Sequence, residues 1–333
     1  KGGPMHRIPS WARTRDPLFI LSFPAAAALG KTVRSMVTDP QVQAEAILEI
    51  RRRFPRQAAF TGLMDLSLEA EAFGCPVRFA DDDLPTVLEP VIHTPQDAEA
   101  LVVPDLEAGR IPVTLEALKR VHAQDPDTPL LAGCIGPFSL AGRLADPSAA
   151  LMMPVTDPDT LKILLDKATA CLIQLIEAFK AAGCAGVIMA EPMAGLMSPA
   201  MNRRFVVPWL KRIIDAVQTE EFSVMLHNCG PSAGKRWNVL RQSGAAAYHF
   251  GNAVDLLPIL ESSPDIPVYG NLDPTAFVSE TPETIACLTQ YLIDSYGQCP
   301  MWRLSSGCDI PAAAHPAALQ AAFDAWDKWL QQN

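Results

Sequence analysis

The 333-residue sequence predicts an α/β fold of the (β/α)8 TIM-barrel type, with an N-terminal extension and a long insertion in the second βα connection. Three observations carry this expectation. Eight short apolar runs recur along the chain, and from Pro129 onward they alternate with segments of helical periodicity. The runs are apolar nearly throughout, as strands buried on both faces of a helix-covered parallel sheet must be. Polar residues cluster just after the runs, as they do when every strand end opens onto one mouth. A doubly wound open sheet is the alternative. No Gly-x-Gly-x-x-Gly or Gly-x-x-x-x-Gly-Lys loop follows any run, which weakens its nucleotide-binding forms. No composition shift marks a boundary, so 1–333 reads as one domain.

Taken in order, Pro17 to Pro24 is the first strand. Pro40 to Phe54 is helical, with Val42, Ala46, Ile47 and Ile50 on one face and Arg51-Arg52-Arg53 where cations meet the helix dipole. Ala58 to Leu63 is the second strand. The insertion runs from Asp65 to Pro129, with a short helix before Gly74, an edge strand at Pro76–Phe79, an exposed Asp81-Asp82-Asp83 turn and a Pro-rich helical connection. Strands three to eight are Pro129–Ile135, Ala185–Ala190, Phe222–Leu226, Ala245–Phe250, Pro267–Asn271 and Met301–Ser305. The helices between and after them are Asp157–Ala182, Ala200–Val217, Gly234–Gln242, Ala253–Leu260, Pro282–Tyr296 and Pro316–Leu330.

Composition narrows the function. The formal net charge is −10, which argues against a nucleic-acid partner, because phosphates call for a basic face. No apolar stretch approaches the roughly 20 residues of a membrane span. Eight cysteines in a chain of this length read as reduced, many of them small hydrophobes, in a cytoplasmic protein. Lys1-Gly2-Gly3-Pro4 before Met5 reads as an expression remnant.

The chemistry centres on His227-Asn228-Cys229-Gly230. Side chains alternate along a strand, so His227 and Cys229 point at one spot just past the fifth run. Cys308 follows the eighth run, 79 positions later, and a barrel mouth brings the two ends together. One imidazole and two thiolates suit zinc rather than magnesium or calcium, and three protein ligands leave a fourth position open for catalysis. The plainer reading of His-x-Cys is a satisfied histidine and a buried thiol. Glu191, after the fourth strand, is either the resting fourth ligand or a helix cap. Such a zinc either activates water or binds a substrate thiol as thiolate, and two sulfur ligands tilt it towards the thiol.

Several motifs resemble the uroporphyrinogen decarboxylase superfamily, and within it the methylcobalamin:coenzyme M methyltransferase branch. They are Asp65 to Gly74, Gly136-Pro137-Phe138-Ser139-Leu140, His227-Asn228-Cys229-Gly230, Gly270-Asn271-Leu272-Asp273-Pro274 and Gly307-Cys308-Asp309-Ile310-Pro311. The resemblance implies a (β/α)8 barrel and a zinc held by His227, Cys229 and Cys308. It also implies methyl transfer from methylcobalamin or another corrinoid, carried on a partner corrinoid protein. The acceptor would be a small thiol such as coenzyme M, or tetrahydrofolate. Asn252, Asn271 and Asp273 are expected to bind the cofactor, and Asp65 and Glu191 to serve catalysis.

The departures from the decarboxylases are informative. Their Arg-Gln-Ala-Gly-Arg loop is replaced by Ser22-Phe23-Pro24-Ala25-Ala26, without an arginine to grip substrate carboxylates. Their tyrosine after strand three is missing from Ser139–Leu144, and their late Gly-His is Gly307-Cys308. Only Asp65 occupies a position like their catalytic aspartate, where it either orients a ligand group or caps a helix. Arg143 is the nearest cation for an anionic acceptor, and the pattern puts it on the surface. The alternatives are a decarboxylase-like lyase for another substrate and a non-catalytic corrinoid- or tetrapyrrole-binding barrel.

Overall fold

The computed structural model describes residues 8–332, so Lys1–Pro4, expected to be an expression remnant, lies outside the described residues. Its strands are β1 (Phe60–Thr61), β2 (Val77–Arg78), β3 (Thr86–Val87), β4 (Leu130–Ile135), β5 (Gly186–Ala190), β6 (Ser223–Asn228), β7 (Ala247–Phe250), β8 (Val268–Leu272) and β9 (Trp302–Ser306). Seven of them form a parallel sheet in the order β1-β4-β5-β6-β7-β8-β9. Strands β2 and β3 pair as a separate antiparallel hairpin. Sequence neighbours are sheet neighbours throughout the parallel sheet, so the chain winds in one direction and carries every strand end to the same side.

The expected first strand, Pro17–Pro24, is corrected here: it forms no regular ladder. Segment 17–22 nevertheless ties the two sheet edges together. Leu18 N donates to Leu304 O at 3.0 Å on one side, and Ala58 N donates to Pro17 O at 2.8 Å on the other. Side chains supply the remaining bonds. Phe19 N donates to Gln57 Oε1 at 3.1 Å and Gln57 Nε2 donates to Phe19 O at 2.6 Å, while Ser22 Oγ donates to Thr61 O at 2.7 Å. An amide and a hydroxyl stand where backbone groups stand in a ladder, so these polar groups find partners without strand geometry.

Inside the curled sheet, Trp11, Leu18, Ile20, Leu131, Ile188, Met225, Ala247 and Tyr269 form a compact cluster. Outside it, helices bury their apolar stripes. Pro158–Ala181 is capped by Asp157, whose carboxylate accepts from Thr160 N at 3.2 Å. Its Leu161, Leu164, Leu165, Ala168, Leu172, Leu175 and Phe179 recur at helical spacing on the buried face. Each large one contributes about 1.5–3 kcal/mol of burial. Gly183, at φ 96°, turns the chain away from the helix end.

Several helices differ from their sequence expectation. The one expected at Ala200–Val217 breaks into Pro199–Phe205 and Val207–Val217. Pro208 lacks an N–H and its ring would clash with the carbonyl four residues earlier. Helices Pro137–Ala145 and Pro147–Thr156 precede the expected start at Asp157, the region expected at Gly234–Gln242 is three short turns, and that expected at Ala253–Leu260 shifts to Leu257–Ser262. Between β1 and β4 lie the hairpin and helices Leu68–Ala72, Pro95–Ala100 and Ile111–Gln124. Among the described residues no helix is long and apolar enough to cross a membrane.

Candidate metal centre

Strand alternation builds the centre. Met225 faces the interior of the curled sheet, so His227, two residues on, faces it as well. Cys229 follows just beyond the end of β6. Asn228 points the other way and fastens this end. Its Nδ2 donates to Glu191 O at 2.8 Å, and its Oδ1 accepts from Gly230 N at 3.0 Å. Gly251 lets the next loop lie flat on Cys229. A β-carbon there would sit 2.9 Å from Cys229 Cα and collide with its carbonyl. Cys308 follows β9, and the turn behind it is held by Ile310 N donating to Ile20 O at 3.0 Å.

His227, Cys229 and Cys308 thereby converge, with their ligand atoms all within 4.8 Å of one another. His227 Nε2 lies 3.6 Å from Cys308 Sγ. Two vertices of a zinc tetrahedron with one nitrogen and one sulfur ligand stand about 3.5 Å apart. The donor types and the spacing both fit zinc. Among the described residues this is the one such group of three.

The two thiols are electrostatically unlike. Cys229 is pulled down to about 4, first by its hydrogen bond with Cys308 and then by His227, against the effect of burial. Cys308 moves up, because it retains the proton beside the Cys229 thiolate and is itself buried. The pair thus gives up its first proton readily. Next to it, burial holds the Asp309 carboxyl well above its ordinary range, and neither of its oxygens has a hydrogen-bond partner.

The centre opens into a cavity of about 240 Å³. Ile20, Met64, Leu66, Leu84, Val87 and Pro192 supply apolar walls, so the β2–β3 hairpin region forms one side. Arg143, expected on the surface, lines this cavity instead, because helix Pro137–Ala145 starts at the mouth. Its guanidinium has no hydrogen-bond or ion-pair partner among the described residues.

Other expected site residues lie elsewhere. Asp65 is closed in an ion pair with Arg110 and accepts from Ser67 Oγ at 2.6 Å and Ser67 N at 3.1 Å. Arg110 also holds Glu71 at 2.6 Å, so Asp65 belongs to a structural network before helix Leu68–Ala72. Glu191 is fully buried against the N-terminus of helix Pro137–Ala145. It accepts from Phe138 N and Ser139 N at 2.9 Å each and from the Ser139 hydroxyl. Burial still pushes its carboxyl up to about 7. Neither acid joins the ligand cluster.

Asn252, Asn271 and Asp273 line a second, open cavity of about 680 Å³. There Asn271 Nδ2 donates to Gly251 O at 2.9 Å and Val254 O at 2.7 Å, while Asp273 accepts from Thr275 N and Oγ1 at 2.9 and 2.7 Å. Both are engaged in holding loops.

Sequence reading assigned no role to His249 and Ser305. His249 stands in register beside His227 across β6 and β7, and the two Nδ1 atoms are 2.7 Å apart. His249 Nε2 is 2.9 Å from Ser305 Oγ. The signal was the alignment of two strand-end histidines on adjacent parallel strands, which becomes visible once the register is known.

Residues 1–329 match a family model described as uroporphyrinogen decarboxylase (URO-D). The chain is similar to methylcobamide:CoM methyltransferase MtbA of Methanosarcina acetivorans, 27% identical over 261 residues, covering 77% of this chain and 75% of that protein. It is similar also to a uroporphyrinogen decarboxylase of Xylella fastidiosa, 27% identical over 305 residues, covering 87% and 84% of the two. Among solved structures it is similar to a methyltransferase from Methanosarcina mazei, with a TM-score of 0.82, 22% identity and coverage of 99% and 96%. At a TM-score of 0.59 and 14% identity it is similar to a B12-independent methionine synthase from Shewanella sp. W3-18-1, with coverage of 88% and 90%. The two structural likenesses speak for a shared fold.

Proposed function

We propose that this chain, which belongs to the uroporphyrinogen decarboxylase family, is a zinc-dependent methyltransferase that moves a methyl group from a methylcorrinoid on a partner protein to a small thiol such as coenzyme M, or to tetrahydrofolate. The observation that carries this reading is the convergence of His227, Cys229 and Cys308 at the floor of an apolar cavity, with His227 Nε2 3.6 Å from Cys308 Sγ. The similarity to a protein named methylcobamide:CoM methyltransferase supports it. We read segment 17–22 as the eighth stave of a closed (β/α)8 barrel.

When bound at these three residues, zinc supplies Lewis-acid stabilisation of the acceptor as its thiolate. The chain does the rest. His227, Cys229 and Cys308 would hold the metal beside the cavity they line. Apolar walls from Ile20, Met64, Leu66 and Val87 exclude water, so the thiolate meets the methyl carbon poorly solvated and pre-aimed. Arg143 is a cation on that wall for an anionic part of the acceptor. With a thiol acceptor, the sulfur lone pair would form the new S–C bond, the electron pair of the Co–C bond would stay with the donor's cobalt as Co(III) becomes Co(I), and the thiol proton would leave to solvent.

Metal analysis of the anaerobically purified protein tests this directly. About one zinc per chain is expected in the wild type, with loss in Cys308→Ser. A metal-free wild type would contradict the reading. One observation favours a second reading, a lyase acting on another substrate: the similarity to a named decarboxylase extends over 87% of the chain. Activity that survives chelation and Cys229→Ala would favour it. Tight corrinoid binding without turnover for any acceptor would point to a carrier.

A further inference from the structure

Beneath the ligands runs a hydrogen-bonded column whose protons can be assigned one by one. It begins at Leu18 O, a backbone carbonyl that can only accept. Ser305 Oγ lies 2.5 Å from it and therefore donates its single proton there. With that proton committed, Ser305 Oγ meets His249 Nε2, 2.9 Å away, as an acceptor. His249 must then carry its hydrogen on Nε2.

His249 is fully buried, and no acidic side chain bonds to it among the described residues. A charged imidazole there would lack compensation, so the ring is neutral and its Nδ1 carries a lone pair. His227 Nδ1 sits 2.7 Å from that lone pair and has to supply the proton between them. His227 thereby carries a hydrogen on Nδ1. That leaves Nε2 as the nitrogen facing the cysteines, and it is the atom 3.6 Å from Cys308 Sγ. The column ends on a nitrogen placed to bind a metal.

We propose that His249 is a positioning residue for the metal centre, fixing His227 in the tautomer and ring orientation that present Nε2 to the two cysteines. The inference rests on the reading of His227, Cys229 and Cys308 as metal ligands. Segment 17–22 takes part as well: the tie across the sheet edges supplies, through Leu18 O, the acceptor that orders the whole column. Partners of this kind orient and tighten ligating histidines, and their loss lowers metal affinity by about 10–100-fold.

The test is a Co(II) and Zn(II) titration against a competing chelator for wild type, His249→Leu, His249→Asn and Ser305→Ala. Long-range 1H–15N correlation spectra of the metal-free wild type accompany it. His249→Leu should weaken binding by about 10–100-fold. His249→Asn, which places an oxygen acceptor near the Nδ1 position, should recover most of that loss. Ser305→Ala, which frees the His249 tautomer, should fall between. The spectra should show His227 protonated at Nδ1, and His249 protonated at Nε2 and bare at Nδ1. Wild-type affinity in His249→Leu, or a His227 bare at Nδ1, would overturn the proposal. Should His249→Leu fail to fold, Ser305→Ala and the wild-type spectra decide. A wild type that binds neither metal would refute the metal-centre reading, and the tautomer result would still stand or fall by itself.

Discussion

Replacing Glu69 by Gln tests how burial governs the helix beside the cavity. Glu69 is 0% exposed. One carboxyl oxygen accepts from Ile135 N at 3.1 Å, and the other has no hydrogen-bond partner. Burial is the largest cause pushing its carboxyl from 4.5 up to about 7. A carboxyl raised on folding contributes stability that is complete below its unfolded value and is lost as pH rises through its folded value. For a shift from 4.5 to about 7, the loss between pH 5 and pH 8 is about 2.5 kcal/mol. Glutamine keeps the acceptor for Ile135 N–H but cannot ionise. Its unpaired amide adds a penalty of about 1–3 kcal/mol that does not vary with pH. Urea unfolding of both proteins at several pH values separates the two effects. The wild-type advantage should shrink by about 2.5 kcal/mol from pH 5 to pH 8. Parallel stability profiles would refute the reasoning, whatever their offset.

Other consequences can be measured with the same proteins. Arg110→Ala leaves Asp65 buried and unpaired and should destabilise by about 3–5 kcal/mol in urea unfolding, with metal content kept in the folded fraction. Gly251→Ala drives a β-carbon into the Cys229 carbonyl, so it should weaken zinc binding in chelator competition more than it lowers the unfolding midpoint. Because Cys229 is pulled down to about 4, metal-free protein should be alkylated there by iodoacetamide even at pH 6, and zinc should protect it. Peptide mapping that finds Cys287, the exposed thiol, modified first at that pH would contradict the assignment.

The later strands and the convergence of His227, Cys229 and Cys308 were legible because they rest on local rules. Period-2 alternation puts His227 and Cys229 on one side, and consecutive parallel strands carry Cys308 to the same end. What escaped depends on distant side chains. Pro17–Pro24 looks like a strand, but the side chains of Gln57 and of its own Ser22 make the bonds that a backbone ladder would make. The partner of Asp65, Arg110, stands 45 residues later, beyond the reach of any local pattern. Glu191 reads equally as ligand or cap until Phe138 N and Ser139 N arrive, 53 and 52 residues away along the chain. His249 needed the register of β6 against β7. Arg143 needed the direction of a helix that local pattern did not reveal.

Anaerobic demethylation of methylcobalamin, followed by absorbance and by mass spectrometry of the acceptor, bears most directly on the central claim. With zinc-loaded protein and a panel of small thiols and tetrahydrofolate, one acceptor should become methylated as the methyl–cobalt absorbance falls. Cys308→Ser should abolish that transfer. Absence of transfer to every acceptor, or transfer that continues unchanged in Cys308→Ser, would contradict it.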